Sequence, residues 1–412
     1  MTNFKRQIVS AAAAGALFLN IATPALAETN IVISGNGAGS DNWTTVNQTS
    51  TTSVTQNNTA NVTNNVNADA NTGGNDANFN TGGNVEVHSG NATTDVDVTN
   101  VLNSNSAEVD CCGANDTEVE ISGNGAKSEN GVKLGTENKT TVSQDNDARV
   151  RNNIDTNAKT GYNDAGSNTG GDVEVTTGNA KAYATVSTTA NVNAAHVGGA
   201  GSSNPSAKFV IKDNGAGSDN YIGAELSNGT EVDQENDAHI TNDVDADAKT
   251  GGNDANFNTG GNVEVTTGGA LTDLTVDNAV NFNSADVDCG CVWDVLAKIA
   301  GNGAEKYDHE SDTDNIIELS LDSFQTVGQD NEVCLNNDVD GDAKTGDNDA
   351  NSNTGDSNTD PSVTTGNAVS ATDVANSGNV NSVGDMMGMP EMPDFEFDFN
   401  FAALWAFFGS HM

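Results

Sequence analysis

The 412-residue sequence is poor in large apolar side chains. Aromatic residues make up 5% of the chain and apolar residues 35%, and only five phenylalanines lie between residues 28 and 384. A globular core of ordinary thickness needs more large side chains than this. The composition therefore leaves two structures, a disordered chain or a narrow core of small residues in stacked layers.

Basic residues are also scarce. Fifteen lysines and arginines stand against 59 acidic residues, which gives a formal net charge of −44. A phosphate backbone would be repelled by this charge, so nucleic acid is excluded as a partner. The same charge suits solubility outside the cell, divalent cations or a cationic surface.

No catalytic constellation is visible. The five histidines, at positions 88, 196, 239, 309 and 411, share no repeat offset. The recurring G-N-G-A elements are not followed by the Lys-Ser/Thr pair of a phosphate-binding loop. We therefore expect a protein that is not an enzyme and has no cofactor, with low-affinity calcium as the one open alternative.

Long hydrophobic runs are confined to the ends of the chain. Lys5 and Arg6 precede an apolar stretch, and Ala25-Leu26-Ala27 supplies the small residues that a signal peptidase accepts. Residues 1–27 are predicted to be a secretory signal, because the apolar stretch is short for a membrane span. The mature protein is expected to be secreted, at the cell surface or extracellular, with no membrane span after cleavage.

Internal repetition decides between disorder and stacking. A pattern Q-x-N-x-[AV]-x-[VIL]-x-N-x-[VI] begins at Gln56 and recurs at Gln144, Gln234 and Gln329, at intervals of 88, 90 and 95 residues. All fixed positions have one parity, which predicts a strand with one inward face. The predicted organisation is repeats at 28–116, 117–206 and 207–294, a degenerate capping repeat at 295–384, and a Met/Pro linker with an aromatic tail at 385–412.

The predicted inward face carries amides. In stacked layers, an amide can bond to its equivalent one layer above and one below, which satisfies buried donors and acceptors. We therefore predict an all-β repeat β-solenoid, a β-helix-like rod of four units of about 90 residues. The predicted ladder residues are Gln56, Asn58, Asn64, Gln144, Asn146, Asn152, Gln234, Asn236, Asn242, Gln329, Asn331 and Asn337.

Corner residues suggest a rung length. Thr-Gly and Ser-Gly steps recur eight or nine residues apart, and the glycine elements at Gly35, Gly90 and Gly123 are separated by multiples of 11 residues. A rung of about 22 residues, four to a repeat, follows. About sixteen rungs would then form a rod roughly 75 Å long.

The run from Val54 to Val62 and its three equivalents resemble the curlin repeat of secreted amyloid fibres. The resemblance covers about ten residues in each repeat and departs in the longer unit, the acidity and an Asn in place of the terminal Gln. It implies a β-solenoid, secretion and a matrix or adhesive role, most directly as a long single-chain rod.

Two acidic runs are candidate metal ligands. Oxygen ligands at alternate positions are typical of the start of calcium loops, although the glycine that such a loop needs at its sixth position is replaced here by Ala248 and Ala343. On a straight strand the same residues form a solvated acidic stripe. The candidate ligands are Asp243, Asp245, Asp247, Asp338, Asp340 and Asp342.

Cysteines and the C-terminal tail are further candidate sites, for disulfide bonds and for assembly. Cys111, Cys112, Cys289 and Cys291 close two of the repeats and are candidates for disulfides, whereas Cys334 has no evident partner. In the tail, Phe395, Phe397, Phe399 and Phe401 alternate with polar residues. Such a strand either caps the open end of the rod or docks on another subunit or on the envelope.

These expectations combine into a structural or adhesive surface protein that forms an acidic β-solenoid and serves as a filament or matrix subunit. The expected partners are other copies of the chain or components of the cell surface and matrix. The alternatives are a calcium-dependent assembly module, because of the acidic runs, and an ice- or mineral-binding solenoid, because of rows of threonine.

Overall fold

The computed structural model describes residues 17–21, 29–109, 116–198, 206–288, 294–303, 314–355 and 360–384. Within these ranges the chain is built from strands and contains no helix, so the all-β prediction is confirmed. None of the described segments is a helix that would cross a membrane.

The strands recur in the same order in each repeat. The first repeat contains β2 (Thr29–Ser34), β3 (Asp41–Asn71), β4 (Val85–His88) and β5 (Ala92–Val109), and β1 (Leu17–Ile21) precedes them. The second repeat has β6 (Thr117–Ser122), β7 (Glu129–Lys159), β8 (Val173–Thr176) and β9 (Ala180–Val197). The third has β10 (Ser206–Lys212), β11 (Asp219–Lys249), β12 (Val263–Thr266) and β13 (Ala270–Val287). The fourth has β14 (Asp294–Ala300), β15 (Asn315–Lys344), β16 (Ser362–Thr364) and β17 (Ala368–Val383).

Each repeat contributes one strand to each of four parallel sheets. The entry sheet is β2-β6-β10-β14, the long sheet β3-β7-β11-β15, the corner sheet β4-β8-β12-β16 and the return sheet β1-β5-β9-β13-β17. Because equivalent strands of successive repeats are hydrogen-bonded neighbours, each repeat is one layer of a stack, numbered here one to four in chain order. This arrangement is consistent with a β-solenoid.

The predicted rung of 22 residues is wrong. Gln56 pairs in register with Gln144, and Gln144 with Gln234, so one layer contains a whole repeat. The described repeats therefore form four layers, about 19 Å thick, and not sixteen rungs over 75 Å. The prediction assumed evenly spaced corners, but most of the glycine corners lie together between β3 and β5. The strand β3 runs for 31 residues, about 100 Å, without a corner.

The core is a thin slab between the long sheet and the sheets that face it. Inward and outward side chains alternate along the long strands. At one end Ile31 and Ile33 of the entry sheet pack with Leu134. Toward the other end Val96 of the return sheet packs with Ile154 among many alanines. Small inward residues are sufficient to form a buried core because each layer is covered by the next one.

Close stacking requires glycine at the corners of inner layers. A Cβ built at Gly125 would lie 2.6 Å from the carbonyl carbon of Gly37 in the layer before, whereas one built at Gly37 would meet nothing within 4 Å. Neither residue has a left-handed backbone. The two glycines occupy the same repeat position and differ only in whether another described layer lies against them.

We therefore predict that Gly125→Ala lowers the free energy of unfolding by about 1–3 kcal/mol through the clash with the first layer. Gly37→Ala is the matched control and should change it by less than about 0.5 kcal/mol. Denaturant unfolding followed by circular dichroism measures both. Equal effects of the two substitutions would contradict the layer spacing described here.

Candidate functional site

The inward glutamines form a continuous column through the four layers. Gln144 Nε2 donates to Gln56 Oε1 at 2.7 Å, Gln234 to Gln144 at 2.8 Å, and Gln329 to Gln234 at 2.7 Å. Each glutamine also donates to a carbonyl oxygen of the return sheet at 3.0 Å; these oxygens belong to Ser106, Ala194, Ser284 and Ser382. Each side chain thus joins neighbouring layers and the two facing sheets.

The predicted asparagine ladders run parallel to this column with the opposite polarity, since here the earlier layer donates. The Asn58 ladder continues through Asn146, Asn236 and Asn331, with distances of 3.1, 3.0 and 2.9 Å. The Asn64 ladder continues through Asn152, Asn242 and Asn337, with 2.7 Å at every step. Buried amides of this kind are stable only because each finds its partner by translation.

Sequence analysis missed the amides of the return sheet. Asn58 Nδ2 donates to Asn105 Oδ1 at 2.7 Å, and Asn64 Nδ2 donates to Asn100 Oδ1 at 2.9 Å. Asn105 begins its own ladder, which continues through Asn193, Asn283 and Asn381. The Asn105 position carries asparagine in all four repeats, so a search for identical residues outside the Gln-Asn run would have found it, whereas the equivalent of Asn100 in layer two is Thr188.

A further ladder marks a bulge in the return sheet. Asn103 has a positive φ of 51° and is buried. Its Nδ2 donates to the Asp147 carbonyl oxygen at 2.7 Å and to Asn191 Oδ1 at 3.0 Å. Asparagine is the non-glycine residue that best tolerates this conformation. Its equivalents are Asn191, Asn281 and Asn379, with φ of 61°, 62° and 54°.

Carboxylates form columns on the outer face of the long sheet. Asp145, Glu235 and Asp330 are in register in layers two to four, as are Asp155, Asp245 and Asp340. Neighbouring layers are about 4.8 Å apart. Partial burial, and then the adjacent carboxylates, raise the pKa of Asp145, Glu235 and Asp245 above the ordinary value. The first layer differs, since the outward positions of β3 from Trp43 to Asn67 carry no charge.

The comparison with protein families, with curated proteins and with solved structures gave no match in any of the three.

The predicted calcium ligands lie side by side on this outer face. Asp243, Asp245 and Asp247 pair in register with Asp338, Asp340 and Asp342. Lys249 binds Asp247 at 2.7 Å, and Lys344 binds Asp342. Among the described residues, no group of three or more acidic, histidine or cysteine side chains is arranged to hold a metal ion. Calcium binding by the acidic runs stays a prediction.

Two groups of predicted residues lie outside the described ranges. These are the disulfide candidates Cys111, Cys112, Cys289 and Cys291, and the tail residues Phe395, Phe397, Phe399 and Phe401. Cys334 is described; it is exposed on the outer face and forms no disulfide.

We predict that Gln144→Leu lowers the free energy of unfolding by about 2–4 kcal/mol, because in a buried site it removes the bonds that Gln144 donates to Gln56 Oε1 and the Ala194 carbonyl oxygen and the bond that it accepts from Gln234. Asn153→Leu is the control. Asn153 also donates to its equivalent Asn65 at 3.1 Å, but on the exposed face. Its loss should cost less than about 0.5 kcal/mol. A control substitution as costly as Gln144→Leu would show that burial is not the cause.

The raised carboxyl pKa values of Asp145, Glu235 and Asp245 predict a pH dependence. Their folded-state pKa values lie above the unfolded ones, so the folded state binds more protons, and their contribution to stability is lost as pH rises through the folded pKa. Denaturant unfolding should therefore show a more stable protein at pH 5 than at pH 7.5. The triple variant Asp145→Asn, Glu235→Gln and Asp245→Asn should reduce this difference, and an unchanged difference would refute the assignment.

Proposed function

We propose that this protein is a secreted structural and adhesive surface protein, an acidic β-solenoid without enzymatic activity whose copies stack end to end into filaments outside the cell. The observation that carries the proposal is that the described layers end in open edges. The resemblance of the Gln-Asn runs to the curlin repeat supports secretion and a matrix role.

The open edges lie on the long sheet. β3 pairs with β7 on one side, β15 pairs with β11, and neither has a further described strand beyond it. About thirty residues of backbone at each end are thus available to pair with another strand. Natural proteins normally shorten, charge or cover such edges because they template association. Edges of this length support association as a function.

Glycines at both ends leave room for another layer. A Cβ at Gly178 would lie 2.6 Å from the carbonyl carbon of Gly90, and one at Gly251 would lie 2.7 Å from that of Gly346. At Gly90 in the first layer and Gly346 in the last, a Cβ would meet nothing within 4 Å. The terminal layers therefore keep the glycines that close stacking requires, although no described layer of the same chain lies against them.

Charge and apolar surface favour stacking of layer four on layer one of the next copy. The carboxylates of β15 would then lie over the uncharged outer face of β3, so the acidic columns would end at each junction. At the same end of the stack the inward-facing side chain of Leu321 is 53% exposed, whereas its equivalent Leu226 in layer three is buried. A following layer would remove this apolar surface from water.

The predicted signal would link assembly to export. β1 lies within residues 1–27 and pairs in parallel with residues 105–109 of β5. Cleavage after Ala27 would remove β1 and leave this edge of the return sheet open. The mature chain would then present the same unpaired edges in both the long and the return sheets.

Electron microscopy of the mature chain, residues 28–412, tests the proposal. We expect filaments with strands about 4.8 Å apart along the axis and a subunit rise of about 19 Å. Gly90→Val and Gly346→Val should each prevent filament formation, because both side chains would point into the junction, and leave the subunit folded. Asn61→Val, on the exposed outer face, should assemble normally.

A mature chain that stays monomeric at all concentrations, with and without Ca²⁺, would overturn the proposal. So would filaments that both junction variants form as readily as the Asn61→Val control.

A further inference from the structure

The outer face of the long sheet carries a groove near the start of its strands. Three glycines, Gly131, Gly135 and Gly223, face outward there in β7 and β11. Glycine weakens a strand and is found where a ligand or another group approaches the backbone closely. Because these glycines have no side chains, the backbone is exposed between the longer side chains of their neighbours. We call this glycine surface the floor of the groove.

Two aromatic side chains lie over this floor. Trp43 from layer one leans across layer two, so that a Cβ at Gly131 would lie 2.7 Å from Trp43 Cδ2. Tyr221 from layer three lies along its own strand, 2.9 Å (Cε1) from a Cβ built at Gly223. The ring centroids are 6.3 Å apart with the planes inclined by 32°. Trp43 remains 57% exposed, so the pair forms an accessible aromatic platform.

Polar groups surround the platform. A groove of about 490 Å³ crosses all four layers and is lined by Tyr221 and by polar residues that include Asn47, Lys133 and Glu225. Trp43 and Gly131 lie beside this groove and not in its lining, and Trp43 borders it through its contact with Tyr221. A second depression of about 300 Å³ shares Asn47 and Glu225 with it and continues along the strands. Both volumes are within the range of small-ligand sites. On the rim, Tyr221 donates to Glu318 at 2.8 Å, which holds the ring in place.

We propose that this groove binds a neutral saccharide. The apolar face of a sugar ring stacks on an aromatic platform, and its hydroxyl groups pair with amide, carboxylate and ammonium side chains of the kind that line the groove. The charges of the site select against anionic ligands.

Charge excludes anionic ligands first. The net charge of −44 and the adjacent Glu225 and Glu318 repel acidic polysaccharides and phosphates. Lys133 lies in the same lining and forms no ion pair within 4 Å with any described residue, so a cationic ligand would meet this ammonium group as well as the carboxylates. A neutral ligand with many hydroxyl groups meets neither penalty. This inference rests on the adhesive part of the proposed function and gives it a partner, independently of filament formation.

Calorimetry of the mature protein with neutral oligosaccharides tests the inference. The probes are β-1,4-linked oligomers of glucose, mannose and N-acetylglucosamine. We expect at least one to bind, with Trp43→Ala and Tyr221→Ala each weakening binding by about tenfold or more. Gly135→Leu should abolish binding by filling the floor. Phe79→Ala is the matched control, because Phe79 is an 80% exposed aromatic outside the groove.

Circular dichroism verifies that each variant is folded, and microscopy records its filaments. Normal filaments with lost saccharide binding support the groove as a separate site. The inference is overturned if no probe binds at millimolar concentration, or if Phe79→Ala weakens binding as much as Trp43→Ala. It is also overturned if Trp43→Ala abolishes filaments or their lateral association and leaves saccharide binding unchanged, since the platform would then be a contact between copies.

Discussion

The structure depends on the pairing of identical buried amides in successive layers. A lone glutamine or asparagine in an apolar slab would cost free energy, because its donors and acceptors would lose water without gaining partners. In the column of Gln56, Gln144, Gln234 and Gln329 every step is a hydrogen bond of 2.7–2.8 Å. This cost is removed only when the layers are in register, so the amides fix the register that the small aliphatic residues alone would leave loosely specified.

Register of this kind makes all layers alike, and the ends of the stack then resemble its interior. A fold that satisfies its core by translation offers the same pattern to the next copy, unless the terminal layers are changed to prevent it. Here the glycine corners are retained at both ends, while charge is distributed unequally between the first layer and the others. The uncharged face of β3 and the acidic face of β15 thus give the stack a polarity, and the Trp43–Tyr221 platform gives its side a surface of different chemistry.

Much of the layer is predictable from the sequence, but its dimensions are not. Alternation identifies the long strand, and repetition identifies the ladder residues from Gln56 to Asn337, because both signals are local or recur at a fixed offset. The rung length was wrong because glycine corners reveal where the chain turns and not which strands become neighbours. Asn103 was missed because it lies where the inward parity of the return strand shifts. The groove was missed because Trp43 and Tyr221 come together only when two whole repeats are stacked.

The most direct test of the account is the distance between residues one repeat apart. Asn61 and Arg149 are register partners on the outer face of β3 and β7, and their Cα atoms should be about 5 Å apart. Spin labels at Asn61→Cys and Arg149→Cys, with the native cysteines replaced by serine, should show strong dipolar broadening in the electron paramagnetic resonance spectrum. A spectrum equal to the sum of the two singly labelled proteins would contradict the stacking of whole repeats.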